Sequence, residues 1–188
     1  MSYQTEIQKE VQEALDQQDS KQSKLDKVFL NIAKEIANLS YCTRSKVGAV
    51  IVKDGNIISF GYNGMPKSMD NCCEDKMYMA YDAGGWIDVD TIEETWPFKD
   101  HLGQYRLITK SEVIHAESNA IIKAAKTGSA VDGSTLYLTL SPCLDCSKLI
   151  LQSGIKRVVY LNEYRSTEGI DFLKQFIQVE QYDVQESN

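Results

Sequence analysis

Residues 115–117 read His-Ala-Glu, and residues 142–146 read Pro-Cys-Leu-Asp-Cys. His115, Cys143 and Cys146 offer one imidazole and two thiols, which are usual ligands of zinc. A structural zinc normally has four Cys or His ligands, whereas three protein ligands leave a position for water. Glu117 is close enough in sequence to exchange protons with that water. The pattern favours a catalytic zinc site over two alternatives, a structural zinc and a redox Cys-x-x-C pair.

The first stretch begins a predicted helix, the second of the chain. That helix is expected over about 115–127, and Gly128 ends it. In a regular helix, the side chains of residues two positions apart point in different directions. Glu117 can therefore join His115 in one site only if the backbone at the helix start is not yet regular.

The second stretch begins the third predicted helix. Ser141 is expected as its N-cap, with Pro142 at its first position and Gly154 after its end. Cys143 and Cys146 are three residues apart, so both sulfurs should point to the same side of this helix. The free N–H groups of a helix start favour thiolate over thiol, as a metal ligand requires.

The remaining pattern predicts a sheet. Strands over 47–53 and 56–61, joined by Asp54-Gly55, form a hairpin. Alternating leucines predict a half-buried third strand over 135–140. Two more strands are expected over 157–161 and 179–184, with a helix over about 168–178 between them. Helices between strands 3, 4 and 5 imply parallel crossovers. The predicted fold is α/β: a three-layer α/β/α sandwich on a mixed five-stranded sheet, with strands 4 and 5 parallel.

The domain organisation is predicted from the flanking segments. Residues 1–22 form a polar extension of helical character, and the first clear helix begins at Ser23, where Asp26 completes a capping box. Residues 23–188 should form a single domain. Within it, an insert at about 66–110 shows no strong periodicity and is predicted to be irregular.

Composition limits the function. A net charge of −7 opposes binding to a polynucleotide backbone. No stretch is apolar and long enough to cross a bilayer, and the N-terminus lacks the apolar core of a secretory signal. Five cysteines, an odd number with no export signal, indicate the reducing cytoplasm, that of the host if the chain is viral.

The pattern His-x-Glu followed by Pro-Cys-x-x-Cys is typical of the zinc-dependent nucleobase deaminases. The chain resembles the cytidine deaminase superfamily and, within it, the phage-type deoxycytidylate (dCMP) deaminases. The stretches that carry this resemblance are residues 45–50 (Ser-Lys-Val-Gly-Ala-Val), 61–66 (Gly-Tyr-Asn-Gly-Met-Pro), 71–73 (Asn-Cys-Cys), 115–117 and 140–143. The resemblance implies hydrolysis of dCMP to dUMP and ammonia, on the route to thymidylate, with Glu117 as the proton-transfer residue.

The resemblance also implies regulation. In this family dCTP activates and dTTP inhibits, each bound with Mg²⁺ at subunit contacts of a hexamer. The matching residues here are Gly61, Tyr62, Asn63 and Gly64, whose glycines allow a ligand to approach the backbone closely. A tight turn that merely ends a strand is the alternative.

Substrate contacts are implied in the same way. Tyr164 matches a tyrosine that stacks on the substrate base, and an ordinary surface tyrosine is the alternative. Asn63 matches an asparagine that touches the sugar. Arg44, Lys46 and Arg165 are candidates for the phosphate, and ordinary solvated surface charges are the alternative. The expected substrate contacts are Asn63, Ala116, Ser141, Tyr164, Lys46 and Arg44.

A second zinc is known in some phage-type members. The matching positions are Cys42, Cys72, His101 and Glu112, with the last two displaced along the sequence. Buried free cysteines are the alternative.

Two other functions remain open at this stage. One is deamination of another base or nucleotide, including dCTP. The other is a catalytically silent, zinc-binding regulatory subunit, which Glu117 disfavours because a structural zinc needs no proton shuttle.

Overall fold

The computed structural model describes residues 3–79 and 95–183. Its helices are α1 (Tyr3–Ala37), α2 (Ala116–Thr127), α3 (Leu144–Gln152) and α4 (Glu168–Leu173). Its strands are β1 (Gly48–Lys53), β2 (Asn56–Tyr62), β3 (Glu74–Tyr78), β4 (Phe98–Asp100), β5 (Gly103–Thr109), β6 (Thr135–Leu140), β7 (Arg157–Asn162) and β8 (Gln178–Gln181). Among the described helices, none has both the length and the apolar character needed to cross a membrane.

Five strands form the main sheet in the order β2-β1-β6-β7-β8. β1 pairs antiparallel with both β2 and β6, whereas β6–β7 and β7–β8 are parallel. The parallel pairs are connected through α3 and α4, as crossover connections require. The predicted mixed sheet, with its hairpin and its parallel fourth and fifth strands, is confirmed.

Helices cover both faces of this sheet and make the sandwich three layers thick. On one face α1 packs through Phe29, Leu30 and Ala33. On the other face lie α2, α3 and α4, which contribute Ala116, Ala120, Ile150, Ile170 and Leu173 to the larger core cluster. β6 is buried against both layers, so its prediction as a half-buried strand is wrong.

Glycines let the two layers approach the hairpin closely. A Cβ atom at Gly48 in β1 would lie 2.0 Å from the carbonyl oxygen of Ala33 in α1. A Cβ atom at Gly61 in β2 would lie 2.2 Å from the carbonyl oxygen of Ala116 in α2. Both distances are too short for any side chain, so the distance of each helix from the sheet depends on these glycines.

The first helix begins at Tyr3, so its predicted start at Ser23 is wrong. The carboxylate of Asp26, expected to complete a capping box, accepts hydrogen bonds from Arg157 at 2.8 and 2.7 Å and from Tyr137 at 2.7 Å. These partners lie on β7 and β6, far away in sequence. The local capping signal is therefore overridden by tertiary contacts.

The insert contains regular structure that the sequence did not indicate. Strands β3, β5 and β4 form a second, antiparallel three-stranded sheet in that order. The prediction of an irregular segment over 66–110 is wrong for these strands, while 80–94 lie outside the described residues. β3 and β5 are only partly buried and show no clean alternation, which explains why periodicity missed them.

The last elements are shorter than expected. α4 ends at Leu173 rather than near Gln178, and the chain continues in turns to β8. β8 spans Gln178–Gln181, and the end predicted for it at Val184 lies outside the described residues.

Candidate metal centre and nucleotide site

His115, Cys143 and Cys146 meet at one point in the fold. Their donor atoms all lie within 4.8 Å of one another. Two ligands of a tetrahedral zinc, with bonds of about 2.3 Å to sulfur and 2.0–2.1 Å to nitrogen, lie about 3.5 Å apart. The Nδ1 atom of His115 is 3.5 Å from Cys143 Sγ and 3.4 Å from Cys146 Sγ. The three side chains therefore have both the chemistry and the spacing to hold zinc.

The backbone at the helix starts brings these ligands together. His115 is the N-cap of α2, with extended φ and ψ of −70° and 157°. Cys143 is the N-cap of α3, with φ −72° and ψ 168°. The expectation that the backbone is not yet regular at the first ligand is met, because α2 begins only at Ala116. Ser141, predicted as the N-cap of α3, is not its cap, because the helix starts three residues later, at Leu144.

Glu117 lies in the first turn of α2 and is 4% exposed. Burial raises the pKa of its carboxyl to about 7, although the nearby imidazole of His115 opposes that shift. A bound divalent cation would oppose it further. A buried carboxyl beside the three donors is placed to accept and return a proton within the site.

The two thiols differ in their electrostatic surroundings. Hydrogen bonds from Cys146 and His115 lower the pKa of Cys143. The hydrogen bond to Cys143, together with burial, raises the pKa of Cys146. The hydrogen bond to Cys143 also raises the pKa of His115. Zinc binds both sulfurs as thiolates, so a metal ion would displace any proton held by the pair.

Ser141 anchors the loop that carries Tyr164. Its hydroxyl accepts a hydrogen bond from the N–H of Tyr164 at 2.8 Å, and its own N–H donates to Asn162 O at 2.8 Å. Tyr164 is half-buried, and the guanidinium of Arg165 lies 5.4 Å from its ring. The structure therefore ties the backbone of Tyr164 to Ser141, which lies two residues before the donor Cys143 in the sequence.

Asn63 has both ends of its side-chain amide occupied. Its Oδ1 accepts from the N–H of Val47 at 2.8 Å, and its Nδ2 donates to Ser45 O at 2.8 Å. The side chain is buried and fixes the loop that leads into β1. Lys46, in the middle of that loop, is exposed.

The other residues of the stretch 61–64 do not form a turn, because Gly61 and Tyr62 belong to β2 and Gly64 forms a β-bridge. Gly61 is buried against α2. Tyr62 is half-buried, with the ammonium of Lys123 5.1 Å from its ring centre. Gly64 has open space where a Cβ would stand, and it pairs with Ile114 through two backbone hydrogen bonds of 3.1 and 2.9 Å. Within this stretch, Gly64 therefore combines open space with a backbone link to Ile114, the residue before His115.

The two remaining substrate candidates are placed as follows. Arg44 donates from Nη1 to Thr109 Oγ1 at 3.0 Å, which ties it to β5 of the second sheet. Ala116 has its side chain in the core. Its backbone N–H, at the first position of α2, has no acceptor within the helix.

The four residues considered for a second zinc do not come together. Cys42 is disulfide-bonded to Cys73, and Cys72 is exposed, with its Sγ 3.3 Å from the carbonyl oxygen of Glu74. His101 and Glu112 are also exposed. Within residues 3–79 and 95–183, the only cluster of His, Cys, Asp or Glu suited to a metal is that of His115. Neither the second zinc nor the alternative of two buried free cysteines agrees with this arrangement.

Sequence reasoning missed two polar residues next to the site. Ser118 Oγ lies 3.6 Å from Cys146 Sγ, and Asn119 donates from Nδ2 to Tyr62 O at 2.8 Å. Asn119 thus joins α2 to the last residue of β2. The sequence did offer a sign of their role, because they are two polar residues directly after Glu117 in a helix whose other inward positions are Ala and Ile.

Comparison with known proteins agrees with this geometry. Residues 23–162 match the family described as the cytidine and deoxycytidylate deaminase zinc-binding region. The deoxycytidylate deaminase of Enterobacteria phage T4 is 39% identical over 172 residues, covering 85% of this chain and 89% of that protein. The deoxycytidylate deaminase of Mycobacterium phage D29 is 38% identical over 138 residues, covering 73% of this chain and 94% of that protein.

A solved structure gives the same result. The dCMP deaminase of cyanophage S-TIM5, crystallised with dCMP and dUMP, superimposes with a TM-score of 0.65 at 38% identity. The match covers 84% of this chain and 96% of that one. The resemblance inferred from the sequence motifs is confirmed, and the chain belongs to the cytidine and deoxycytidylate deaminase family.

Proposed function

We propose that this chain hydrolyses dCMP to dUMP and ammonia in a zinc-dependent reaction. The observation that carries the proposal is the triangle of donors from His115, Cys143 and Cys146 with the buried carboxyl of Glu117 beside it. The names of the phage relatives supply the substrate class. Residues 23–188 would act as one deaminase domain.

The three donors would hold the metal through His115 Nδ1 and the Sγ atoms of Cys143 and Cys146. When bound, zinc supplies a Lewis acid that lowers the pKa of a coordinated water molecule toward neutrality. Glu117 takes a proton from water and delivers it to the ring nitrogen beside the reacting carbon. As the hydroxyl left from that water adds to the carbon, Glu117 would take its remaining proton and pass it to the amino group, which leaves as ammonia while the C–N bond breaks and the C=O bond forms.

The substrate would be positioned by residues around the three metal donors. Tyr164, held by the bond from its N–H to Ser141, would stack on the base, and the N–H of Ala116 would face the pyrimidine. Lys46 and Arg44 are the candidates for the phosphate. Asn63 supports this arrangement by fixing the loop of Lys46, and it can reach the sugar only by exchanging one of its present hydrogen bonds.

Regulation by dCTP and dTTP, each with Mg²⁺, belongs to the same proposal. The backbone pairing of Gly64 with Ile114 supports it, because a nucleotide at this stretch would act one residue from His115. We assign the contact to Tyr62, Asn63 and Gly64, with Gly61 serving the packing of α2 instead. Assembly as a hexamer and a cytoplasmic location complete the proposal. The net charge of −7 argues against a polynucleotide substrate.

The experiment is ammonia release from dCMP by the zinc-loaded protein, alone and with dCTP–Mg²⁺ or dTTP–Mg²⁺. Turnover that dCTP raises and dTTP suppresses is expected. Turnover indifferent to both would preserve the deaminase and remove the regulatory site. Turnover with dCTP or another nucleotide but not with dCMP would change the substrate. Zinc binding without any turnover would leave a regulatory subunit.

A further inference from the structure

We infer that Ser118 is a positioning residue for the metal, whose hydroxyl donates a hydrogen bond to the sulfur of Cys146. The two atoms lie 3.6 Å apart, within range for a hydrogen bond to sulfur. Ser118 belongs to α2 and Cys146 to α3. The contact therefore joins the two helices whose N-termini carry the ligands.

The direction of this bond follows from the chemistry of a metal thiolate. A cysteine bound to zinc has lost its proton and can only accept a hydrogen bond, whereas a serine hydroxyl has one proton to donate. Within the described parts of the chain, Ser118 Oγ has Cys146 Sγ as its only hydrogen-bond partner. Cys146 is 4% exposed, so water cannot easily replace the hydroxyl.

The expected consequence concerns the metal rather than the substrate. A donor on the sulfur fixes the orientation of the thiolate and withdraws charge from it, as outer-shell partners of metal ligands do. Removing such partners typically costs about 10–100-fold in metal affinity. Ser118 should therefore tighten zinc binding at Cys146, and this inference rests on the proposed zinc role of the site.

The test compares three variants of the full chain. Zinc dissociation constants are measured by competition with a chromophoric chelator for Ser118→Ala, Ser118→Thr and Ser147→Ala. Ser147 is the matched control, because it follows Cys146 directly, is fully buried, and has a hydroxyl without a hydrogen-bond partner in the described structure. We expect about tenfold weaker zinc binding or more for Ser118→Ala, and values near the parent for the other two.

A second readout does not depend on affinity or activity. In protein loaded with Co²⁺, the thiolate-to-metal charge-transfer band should move to lower energy in Ser118→Ala, because a sulfur without its donor is more electron-rich. Ser118→Thr retains the hydroxyl and should retain the band. Unchanged affinity and an unchanged band in Ser118→Ala would overturn the inference. A parent chain that binds neither metal would overturn the proposed function as well, so the two failures are distinguishable.

Discussion

The substitution Gly61→Ala should push α2, the helix that carries Glu117, away from the main sheet. The new methyl group would lie 2.2 Å from Ala116 O and 2.5 Å from Ala120 N. A carbon atom makes an unstrained van der Waals contact at about 3.5 Å, so β2 and α2 must separate by roughly 1 Å. Overpacking of this kind costs about 1–3 kcal/mol of folding free energy. Because α2 carries Glu117 directly after Ala116, a displacement of about 1 Å should also lower turnover about 100-fold.

Gly48→Ala provides the matched control on the opposite face. Its methyl group would lie 2.0 Å from Ala33 O and 2.7 Å from Ala37 N in α1, a helix that carries none of the proposed site residues. The two variants should lose similar free energy of unfolding in urea, but only Gly61→Ala should lose most of its ammonia release from dCMP. Turnover is measured at saturating zinc, with and without dCTP–Mg²⁺, under conditions in which both variants are folded. Equal losses of turnover, or full turnover in Gly61→Ala, would refute the reasoning.

Asp26→Asn should lower the free energy of unfolding at pH 7 by about 3 kcal/mol, because it breaks a buried ion pair with Arg157. Burial raises the pKa of Asp26, but hydrogen bonds led by that from Arg157 outweigh it and hold the pKa below the ordinary 3.8. The stabilisation is therefore complete above about pH 4 and is lost as pH falls through the folded pKa, so parent and variant should converge there in pH-dependent urea unfolding. Glu117→Gln should bind zinc as the parent does, by metal analysis, but lose turnover; retention of more than a few per cent would contradict its role. A thiol reagent should modify only the exposed Cys72 in native zinc-loaded protein and all three free cysteines after zinc removal and unfolding. Modification of all five without a reductant would show that the disulfide is absent.

The metal ligands were predictable because they belong to two short motifs that can be recognised in the sequence alone. The step from His115 to Glu117 and the three-residue spacing of Cys143 and Cys146 each place groups at a helix start. Most of the main sheet was also predictable, since β1, β6 and β7 are largely apolar and the strands are separated by helices or by the turn at Asp54-Gly55. The periodicity of apolar residues locates a helix between successive strands. Such a helix is a crossover connection, which makes the two strands parallel.

Contacts between distant segments could not be predicted in this way. Asp26 looks like a capping residue until Arg157 and Tyr137 are placed beside it. The disulfide of Cys42 and Cys73 depends on how the second sheet lies against the loop before β1. In each case the partner that decides the outcome is remote in sequence, so no local pattern contains it.

We expect dCMP deamination to require zinc at His115, Cys143 and Cys146. The most direct measurement is ammonia release from dCMP by the chain as purified, after removal of zinc by a chelator, and after reloading with one equivalent. Turnover should be lost with the metal and restored with it. Undiminished turnover in the zinc-free chain, or none in a folded chain that holds one zinc, would contradict the account.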